Sequence, residues 1–200
     1  MADQQLFYTI PDDPVVQHAV EQMADMSNFQ EALQYLSGQA DQTGNFERVS
    51  SLVYRRGEIT FHFALRISMM RHGSSLRLVH SRGFSTAPQL IAFILFPDEK
   101  SCLLVTRIAG VDRSLPVPCQ GSNWQYVTPE GKAAFLADAE KQMASGFICT
   151  AALNTRSWHV IPATGHIILT DWSDLAGVRS EAAAETVLEK LRREFADRGL

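Results

Sequence analysis

The chain has 200 residues, 46% of them hydrophobic, and this composition supports one sizeable core rather than two full domains. Its formal net charge of -4 and pI near 5.8 give no general attraction to nucleic acid or anionic lipid, because phosphate binding needs a concentrated basic surface. We therefore expect one domain, with room for two lobes, and no nucleic-acid partner.

Membrane and disulfide signals are both missing from the sequence. No window approaches the roughly 18 to 20 apolar residues of a membrane span, and the first residues lack a basic leader followed by an apolar run. We expect no membrane span and synthesis in the cytoplasm. Cys102, Cys119 and Cys149 are an odd number without CxxC spacing, which favours reduced thiols over a disulfide framework or a zinc site.

The N-terminal third of the chain predicts helix followed by strands. Apolar residues recur at three- and four-residue steps over 13–36, which predicts an amphipathic helix with a break near Ser27 and Asn28. The polar stretch 38–45 carries two glycines and predicts a loop. Strand-like runs over 46–54 and 59–69 predict a hairpin around the intervening turn.

The remaining elements alternate between hairpins and helices. A short helix is expected over 74–81, a hairpin over 89–96 and 102–108, and an irregular hinge segment over 110–127. Thr128, Pro129 and Glu130 predict the start of a helix that runs to about residue 145. The last predicted elements are a hairpin and a C-terminal helix, over 158–161 with 166–170 and over 180–198.

Charge is unevenly distributed along the chain. No Asp or Glu lies between Glu58 and Asp98, and this segment carries four arginines, namely Arg66, Arg71, Arg77 and Arg82. The segment is a candidate contact region for an acidic partner, and an ordinary solvated face is the alternative. The first lysine of the chain is Lys100.

Two segments carry a resemblance to a known family. Residues 103–110 read LLVTRIAG, and residues 171–173 read Asp-Trp-Ser. Together with the order of the predicted elements over 38–175, they resemble the protein-kinase and aminoglycoside-phosphotransferase superfamily. The first segment is similar to the fifth strand of that family and the hinge after it, and the second to its metal-binding Asp motif.

The resemblance implies an α+β, kinase-like two-lobed fold, with an antiparallel sheet in the N-lobe and a reduced helical C-lobe. It divides the chain into an N-terminal helical segment, 1–37, and a kinase-like domain, 38–200, whose small helical lobe begins at 110. ATP and Mg²⁺ are the cofactors that it implies, although a degenerate member binds neither. The compact length also resembles that of minimal kinase-like effectors that pathogenic bacteria inject into host cells, which implies export after synthesis.

The resemblance also assigns site residues. Asp171 is the expected metal ligand and a catalytic residue, and Asn154 is its expected metal-side partner; a loop-stabilising hydrogen bond is the alternative for Asn154. Cofactor binding falls to Arg66, which stands in the place of the family's phosphate-binding Lys, and to three residues of the fifth strand and hinge, Thr106, Ile108 and Gly110. Arg66 is alternatively the solvent-facing polar member of an alternating strand.

Several groups that the family uses are missing. No lysine precedes Lys100, and no carboxylate between Glu58 and Asp98 is present to hold one. The expected catalytic loop, 146–158, contains no Asp, Glu or His. The candidate glycine loop, 38–46, lacks the close glycine spacing that lets backbone N–H groups approach phosphates. Cys149 is followed by His159, but a buried inert thiol is favoured over a nucleophile.

These absences predict a pseudokinase, a degenerate kinase-like protein that acts mainly by binding an unidentified protein partner. An active, atypical phosphotransferase that depends on Mg-ATP is the first alternative, since phosphoryl transfer depends mostly on positioning and charge stabilisation. The second alternative is a small α/β adaptor or secretion chaperone that binds a client along a strand edge or the helix over 13–36.

Overall fold

The computed structural model describes residues 6–8, 12–65, 67–97 and 100–200, and within them the chain is a mixed α+β protein with an antiparallel sheet. The chain forms two compact units. Unit 1 comprises Met1–Arg77 and Gln89–Asp112, and unit 2 comprises Leu78–Pro88 and Arg113–Leu200.

Unit 1 is built on a six-stranded antiparallel sheet. Its elements are β1 (Leu6–Tyr8), α1 (Pro14–Ala24), α2 (Phe29–Thr43), β2 (Glu47–Ser50), β3 (Val53–Arg56), β4 (Ile59–Ala64), α3 (Ile67–Val79), whose last two residues fall in unit 2, β5 (Gln89–Leu95) and β6 (Cys102–Arg107). The strand order is β1-β5-β6-β4-β3-β2. The β5–β6 hairpin confirms the sequence prediction for this part of the chain.

The core of unit 1 lies between the sheet and the helices α1 and α2. Alternate residues of β4, Ile59, Phe61 and Phe63, face this core, as the two-residue period of a strand requires. Phe29 of α2 meets the ring of Phe63 edge to face, with centroids 5.6 Å apart. Each of these buried large side chains contributes about 1.5–3 kcal/mol through apolar burial.

Local capping explains where α1 and α2 begin. The Asp13 carboxylate accepts the N–H groups of Val15 and Val16, at 2.9 and 3.3 Å, and Pro14 occupies the first turn of α1. The Asn28 side chain caps α2 in the same way, which confirms the break predicted near this residue. The prediction of a loop over 38–45 is wrong, because α2 continues to Thr43 and ends at Gly44 in the left-handed conformation.

Two strand predictions in unit 1 are also corrected. The run over 46–54 contains two strands, β2 and β3, which are joined by a turn at residues 51 and 52. The run over 59–69 changes from strand to helix: β4 ends at Ala64 and α3 begins at Ile67. Arg66, expected on the strand in the place of a phosphate-binding lysine, lies outside the described residues.

Unit 2 combines two long helices with short strands. Its elements are β7 (Val117–Pro118), α4 (Pro129–Ala144), β8 (Phe147–Cys149), β9 (Trp158–Val160), β10 (Ile167–Leu169), β11 (Leu175–Gly177) and α5 (Glu181–Ala196). The strands form one sheet in the order β10-β9-β7 and a second sheet that pairs β11 with β8. Thr128 and Ser180 cap α4 and α5, which confirms both helix predictions.

Aromatic side chains fill the core of unit 2. Trp158 lies against Phe135 and Phe195, with ring centroids 4.4 and 5.3 Å away. All three side chains are almost completely buried. The predicted domain boundary between residues 37 and 38 falls inside α2. The division of the chain into a helical segment before this boundary and a kinase-like domain after it stays a prediction.

Candidate functional site

Two loops of unit 2 run side by side between the same two sheets. Loop 150–157 joins β8 to β9, and loop 170–174 joins β10 to β11. Cys149 at the end of β8 pairs with Leu175, and Trp158 at the start of β9 pairs with Leu169. The strand register therefore places both ends of one loop beside both ends of the other. We call 150–157 and 170–174 the paired loops.

Hydrogen bonds connect the paired loops and their flanks. The backbone N–H and the hydroxyl of Thr150 both donate to the Asp174 carbonyl oxygen, at 3.1 and 3.3 Å. The Cys149 thiol donates to the Asp171 carbonyl oxygen at 3.3 Å. Asp171 and Asn154, which the sequence singles out separately, thus lie on two loops that are bonded to each other.

The Asp171 side chain is exposed and has a defined orientation. One carboxylate oxygen accepts the N–H of Ser173 at 2.8 Å, forming a turn typical of Asp. The following Trp172 is fully buried, and its indole N–H donates to the Leu169 carbonyl oxygen at 3.1 Å. This anchor fixes the loop and leaves the Asp171 carboxylate at the surface of unit 2.

Asn154 has a structural role in its loop. Its side-chain oxygen accepts the N–H of Arg156 at 3.2 Å, and its backbone carbonyl accepts the N–H of Ser157 at 2.9 Å. This is the loop-stabilising arrangement that the sequence left open as the alternative for this residue. A carbonyl-type oxygen has a second lone pair, so these bonds leave Asn154 chemically able to accept another partner.

The loop opposite Asp171 offers no proton acceptor. Ala151 and Ala152 are buried, and their carbonyl oxygens both accept the Trp158 indole N–H at 3.2 Å. The first imidazole after the loop is His159, whose Nδ1 lies 3.4 Å from the Thr170 hydroxyl. Thr170 directly precedes Asp171 in the sequence, so this contact brings His159 close to the Asp171 loop. Sequence reasoning missed the contact because it depends on the pairing of β9 with β10.

Cys149 is a poor nucleophile in this environment. Burial raises the pKa of its thiol to about 11, the carboxylates of Asp171 and Asp174 act in the same direction, and the N–H groups of Ala151 and Ala152 oppose the shift. The thiolate is the reactive form of cysteine, so the thiol is inert near neutral pH. This agrees with the buried thiol that the sequence favours.

The donor set of the paired loops is of the type that Mg²⁺ accepts. Asp171 and Asp174 supply exposed carboxylate oxygens, and Mg²⁺ is commonly held by one or two carboxylates together with substrate phosphates. No cluster of three or more His, Cys, Asp or Glu residues suited to a metal occurs within the described ranges. A metal at these loops would therefore rely on phosphate oxygens for the rest of its ligands.

Two of the residues expected to bind a cofactor, Ile108 and Gly110, have backbone N–H groups that are already hydrogen-bonded within unit 1. The N–H of Ile108 donates to the Glu58 carbonyl oxygen at 3.1 Å, and the N–H of Gly110 donates to the Glu58 carboxylate at 2.5 Å. The Arg55 guanidinium adds a bond to the Val111 carbonyl oxygen at 3.1 Å. Ile108 and Gly110 therefore have no spare N–H for a ligand while Glu58 holds this position.

The polar side chains on β4 differ from those expected. Thr60 pairs with the buried Thr106 of β6, and Thr60 and His62 occupy the strand positions between the core-facing residues. Burial lowers the pKa of His62, so its imidazole is neutral near pH 7. The alternation of apolar and polar residues over 59–63 is the sequence signal that places Thr60 and His62 on the same face of β4.

A phosphate-cradling loop is not formed by the predicted glycines. Gly38 lies inside α2, and Gly44 is the residue after its last turn. The turn that joins β2 to β3 contains Ser51 and Leu52, without a glycine. This part of unit 1 thus lacks the exposed run of backbone N–H groups that glycine-rich loops provide.

Within the described ranges, every helix is too short or too polar to cross a bilayer.

Comparison with protein-family models gives no match to this chain, and comparison with curated proteins gives no significant match either.

Proposed function

We propose that the protein is a degenerate kinase-like protein that acts by binding a protein partner instead of transferring phosphate. The observation that carries the proposal is the composition of the paired loops. Asp171 lies beside a loop that contains Asn154 but no Asp, Glu or His, so a hydroxyl substrate would find no side chain there to accept its proton.

The state of the expected cofactor residues supports the same proposal. Glu58 occupies the N–H groups of Ile108 and Gly110, so neither is open to a nucleotide. The proposed fold is kinase-like and two-lobed, with the sheet of unit 1 as one lobe and the helices of unit 2 as the other. The resemblance to injected effectors extends the proposal to synthesis in a bacterial cytoplasm followed by export.

The basic stretch from Arg66 to Arg82 is the proposed contact region. Arg71, Arg77 and Arg82 are exposed, and no acidic residue interrupts the stretch. Exposed charges of one sign steer an oppositely charged partner during association and contribute to specificity. The proposed partner is therefore acidic.

A calorimetric titration with Mg-ATP, paired with radiolabelled ATP incorporation in bacterial and host-cell lysates, tests the proposal. We expect no Asp171-dependent label, and the variants Asp171→Ala and Asp112→Ala should behave like the wild type. Asp112 is also exposed but lies in unit 1, away from the paired loops in sequence, and serves as the matched control. Label that is lost with Asp171→Ala and kept with Asp112→Ala would overturn the proposal.

One observation favours an active, atypical phosphotransferase as the second candidate. The Asp171 carboxylate is exposed and oriented by the Ser173 N–H, and Asp174 brings a second exposed carboxylate to the same loop. Bound Mg²⁺ would neutralise charge on a transferring phosphoryl group. In this candidate the two carboxylates hold the metal and Asn154 supplies an amide oxygen; the labelling experiment separates it from the binding protein.

A further inference from the structure

A surface of unit 2 combines two cations, two phenyl rings and an exposed leucine. It consists of Leu78, Arg82, Phe84, Lys141 and Phe147, and we call it the Arg82–Lys141 surface. Leu78 belongs to the last turn of α3, Arg82 and Phe84 follow α3 in the chain, Lys141 comes from α4, and Phe147 from β8. The fold brings these residues together from three separate parts of the sequence.

Both cations are held in place over the rings. The Arg82 guanidinium carbon lies 5.3 Å from the centroid of Phe147, and the Lys141 ammonium lies 5.4 Å from the centroid of Phe84. The two rings contact each other edge to face at 5.9 Å. Lys141 also donates to the Gly83 carbonyl oxygen at 3.1 Å, which fixes its side chain further.

No carboxylate of the described residues neutralises these cations. Neither Arg82 nor Lys141 forms an ion pair within the described ranges. The acidic residues nearest to Lys141 on α4 are engaged elsewhere: Asp138 is buried and accepts the N–H of Thr86 at 2.6 Å, and Glu140 pairs with Arg192. Two positive charges thus remain uncompensated in a protein whose net charge is -4.

Leu78 adds an apolar element to the surface. It is 70% exposed, the highest exposure among the large hydrophobic residues of the described chain. Leu78 lies in the last turn of α3, and Arg82 follows four residues later in a short 3-10 turn, so the two residues are close along the chain. An apolar side chain beside unpaired cations is a pattern that an acidic peptide with its own apolar residue complements.

We infer that the Arg82–Lys141 surface is the docking site for an acidic peptide segment of the partner protein, with carboxylates on Arg82 and Lys141 and an apolar side chain on Leu78. This inference rests on the proposed function and narrows its partner class. The rings beneath the cations reduce the conformational freedom that binding would otherwise remove, which favours association.

Fluorescence anisotropy with a labelled peptide of Glu residues around a central Leu-Leu pair tests the site. The double variant Arg82→Glu/Lys141→Glu should weaken binding by about tenfold or more, since reversal turns attraction into repulsion at both positions. Arg82→Gln/Lys141→Gln keeps the long polar side chains and should weaken binding less. Leu78→Ala should weaken binding by about threefold through lost apolar contact.

The matched control is Lys190→Glu/Arg193→Glu on α5, which changes the net charge equally at two exposed cations. Its affinity should stay within about twofold of the wild type, because separated exposed charges are largely screened at physiological salt. Circular dichroism melts of every variant establish that folding is unaffected. An equal loss of affinity in the control would show general charge attraction and overturn the site.

Three further outcomes also overturn the inference. They are absence of peptide binding by the wild type, unchanged binding by the Arg82→Glu/Lys141→Glu variant, and tighter binding of a single-stranded oligonucleotide or a phosphatidylserine vesicle of similar charge. None of these outcomes depends on ATP. Failure of the docking site is therefore distinguishable from failure of the proposed function, which would appear as Asp171-dependent labelling.

Discussion

Phe84 and Trp172 stack with ring centroids 6.1 Å apart and ring planes 15° from parallel. Trp172 directly follows Asp171, and Phe84 lies beneath the Lys141 ammonium of the Arg82–Lys141 surface. One aromatic contact therefore supports both the paired loops and the proposed docking site. We expect substitutions that loosen the Phe84–Trp172 contact to disturb both the paired loops and the Arg82–Lys141 surface.

We expect Trp172→Ala to lower the free energy of unfolding by about 3–5 kcal/mol, because the side chain is fully buried and its removal leaves a cavity. Urea denaturation measures this loss.

A double-mutant cycle with Phe84→Leu and Trp172→Leu should give a coupling free energy of about 0.5–1.5 kcal/mol between the two stacked rings. Tyr126→Ala, at an aromatic residue that is 39% exposed, is the control and should cost less; additive effects of the cycle variants would contradict the stack.

The buried Cys149 thiol predicts a loss of stability at high pH. Burial raises its pKa to about 11 from the ordinary 9.0, so above pH 9 the unfolded chain releases this proton while the folded chain keeps it. The unfolded state then binds fewer protons, and the free energy of unfolding falls with rising pH until the folded thiol ionises. The stability that the neutral thiol supplies is fully present below pH 9 and is lost through about pH 11.

Chemical denaturation of the wild type and Cys149→Ala across this pH range checks the prediction. The alanine variant should show a shallower decline, and the difference in slope isolates Cys149 from lysines and tyrosines that titrate in the same range. Iodoacetamide at pH 8 should leave the folded protein unmodified, because Cys102, Cys119 and Cys149 are all buried. Identical slopes in the two proteins would refute the assignment.

Asp13 should matter more to stability than its neighbour Asp12. Burial raises the pKa of Asp13, but the hydrogen bonds from Arg56, Val15 and Val16 and the charge of Arg56 outweigh it, and the net pKa is lowered. Asp13→Ala should cost about 0.5–2 kcal/mol at pH 7, as expected for loss of a helix cap. Asp12→Ala should cost little, since that carboxylate is 90% exposed and its contact with Arg107 is 3.4 Å.

Because the pKa of Asp13 is lowered in the folded protein, the stability that this residue contributes depends on pH. The folded carboxylate stays charged to lower pH than the unfolded one, so its contribution is present above the ordinary value of 3.8 and is lost as the pH falls through the lowered pKa. Acid titration of wild type and Asp13→Asn, followed by circular dichroism, measures this loss. If both proteins lose stability over the same pH range and by the same amount, the predicted contribution of Asp13 is wrong.

Gly131→Ala is expected to destabilise unit 2 although alanine is the better helix former. A Cβ at this position would lie 2.0 Å from the Gly165 carbonyl oxygen and 2.8 Å from its carbon, both backbone atoms. Overpacking of this kind costs about 1–3 kcal/mol or more, which exceeds the roughly 1 kcal/mol gain in helix propensity. Thermal melts should show the loss, while Gly177→Ala, where a Cβ meets nothing within 4 Å, should change stability by less than about 0.5 kcal/mol.

Much of the secondary structure followed from local signals. Thr128 and Ser180 mark the starts of α4 and α5 because their side chains accept backbone N–H groups of the first turn. The hairpin of β5 and β6 was predictable because two apolar runs flank a short polar turn. These features depend on residues close together in sequence.

The errors occurred where packing overrides the local pattern. The apolar run from Ile59 continues past Ala64, so the change from strand to α3 leaves no clear mark in the sequence. Position 73 of α3 is glycine because a Cβ there would lie 2.4 Å from the ring of Phe93, a constraint set by a strand distant in sequence. Gly38 is typical of a loop, yet it lies within α2, whose Phe29, Ala32 and Leu36 side chains pack into the core.

The sequence by itself determined which chemical groups are missing: it has no lysine before Lys100 and no proton acceptor within 146–158. Only the tertiary structure decided what surrounds Asp171, which N–H groups Glu58 occupies, and that Lys141 joins Arg82 on one surface. The physical reason is that composition is a property of the chain, whereas strand register and contacts between distant side chains arise only when non-local packing closes the fold.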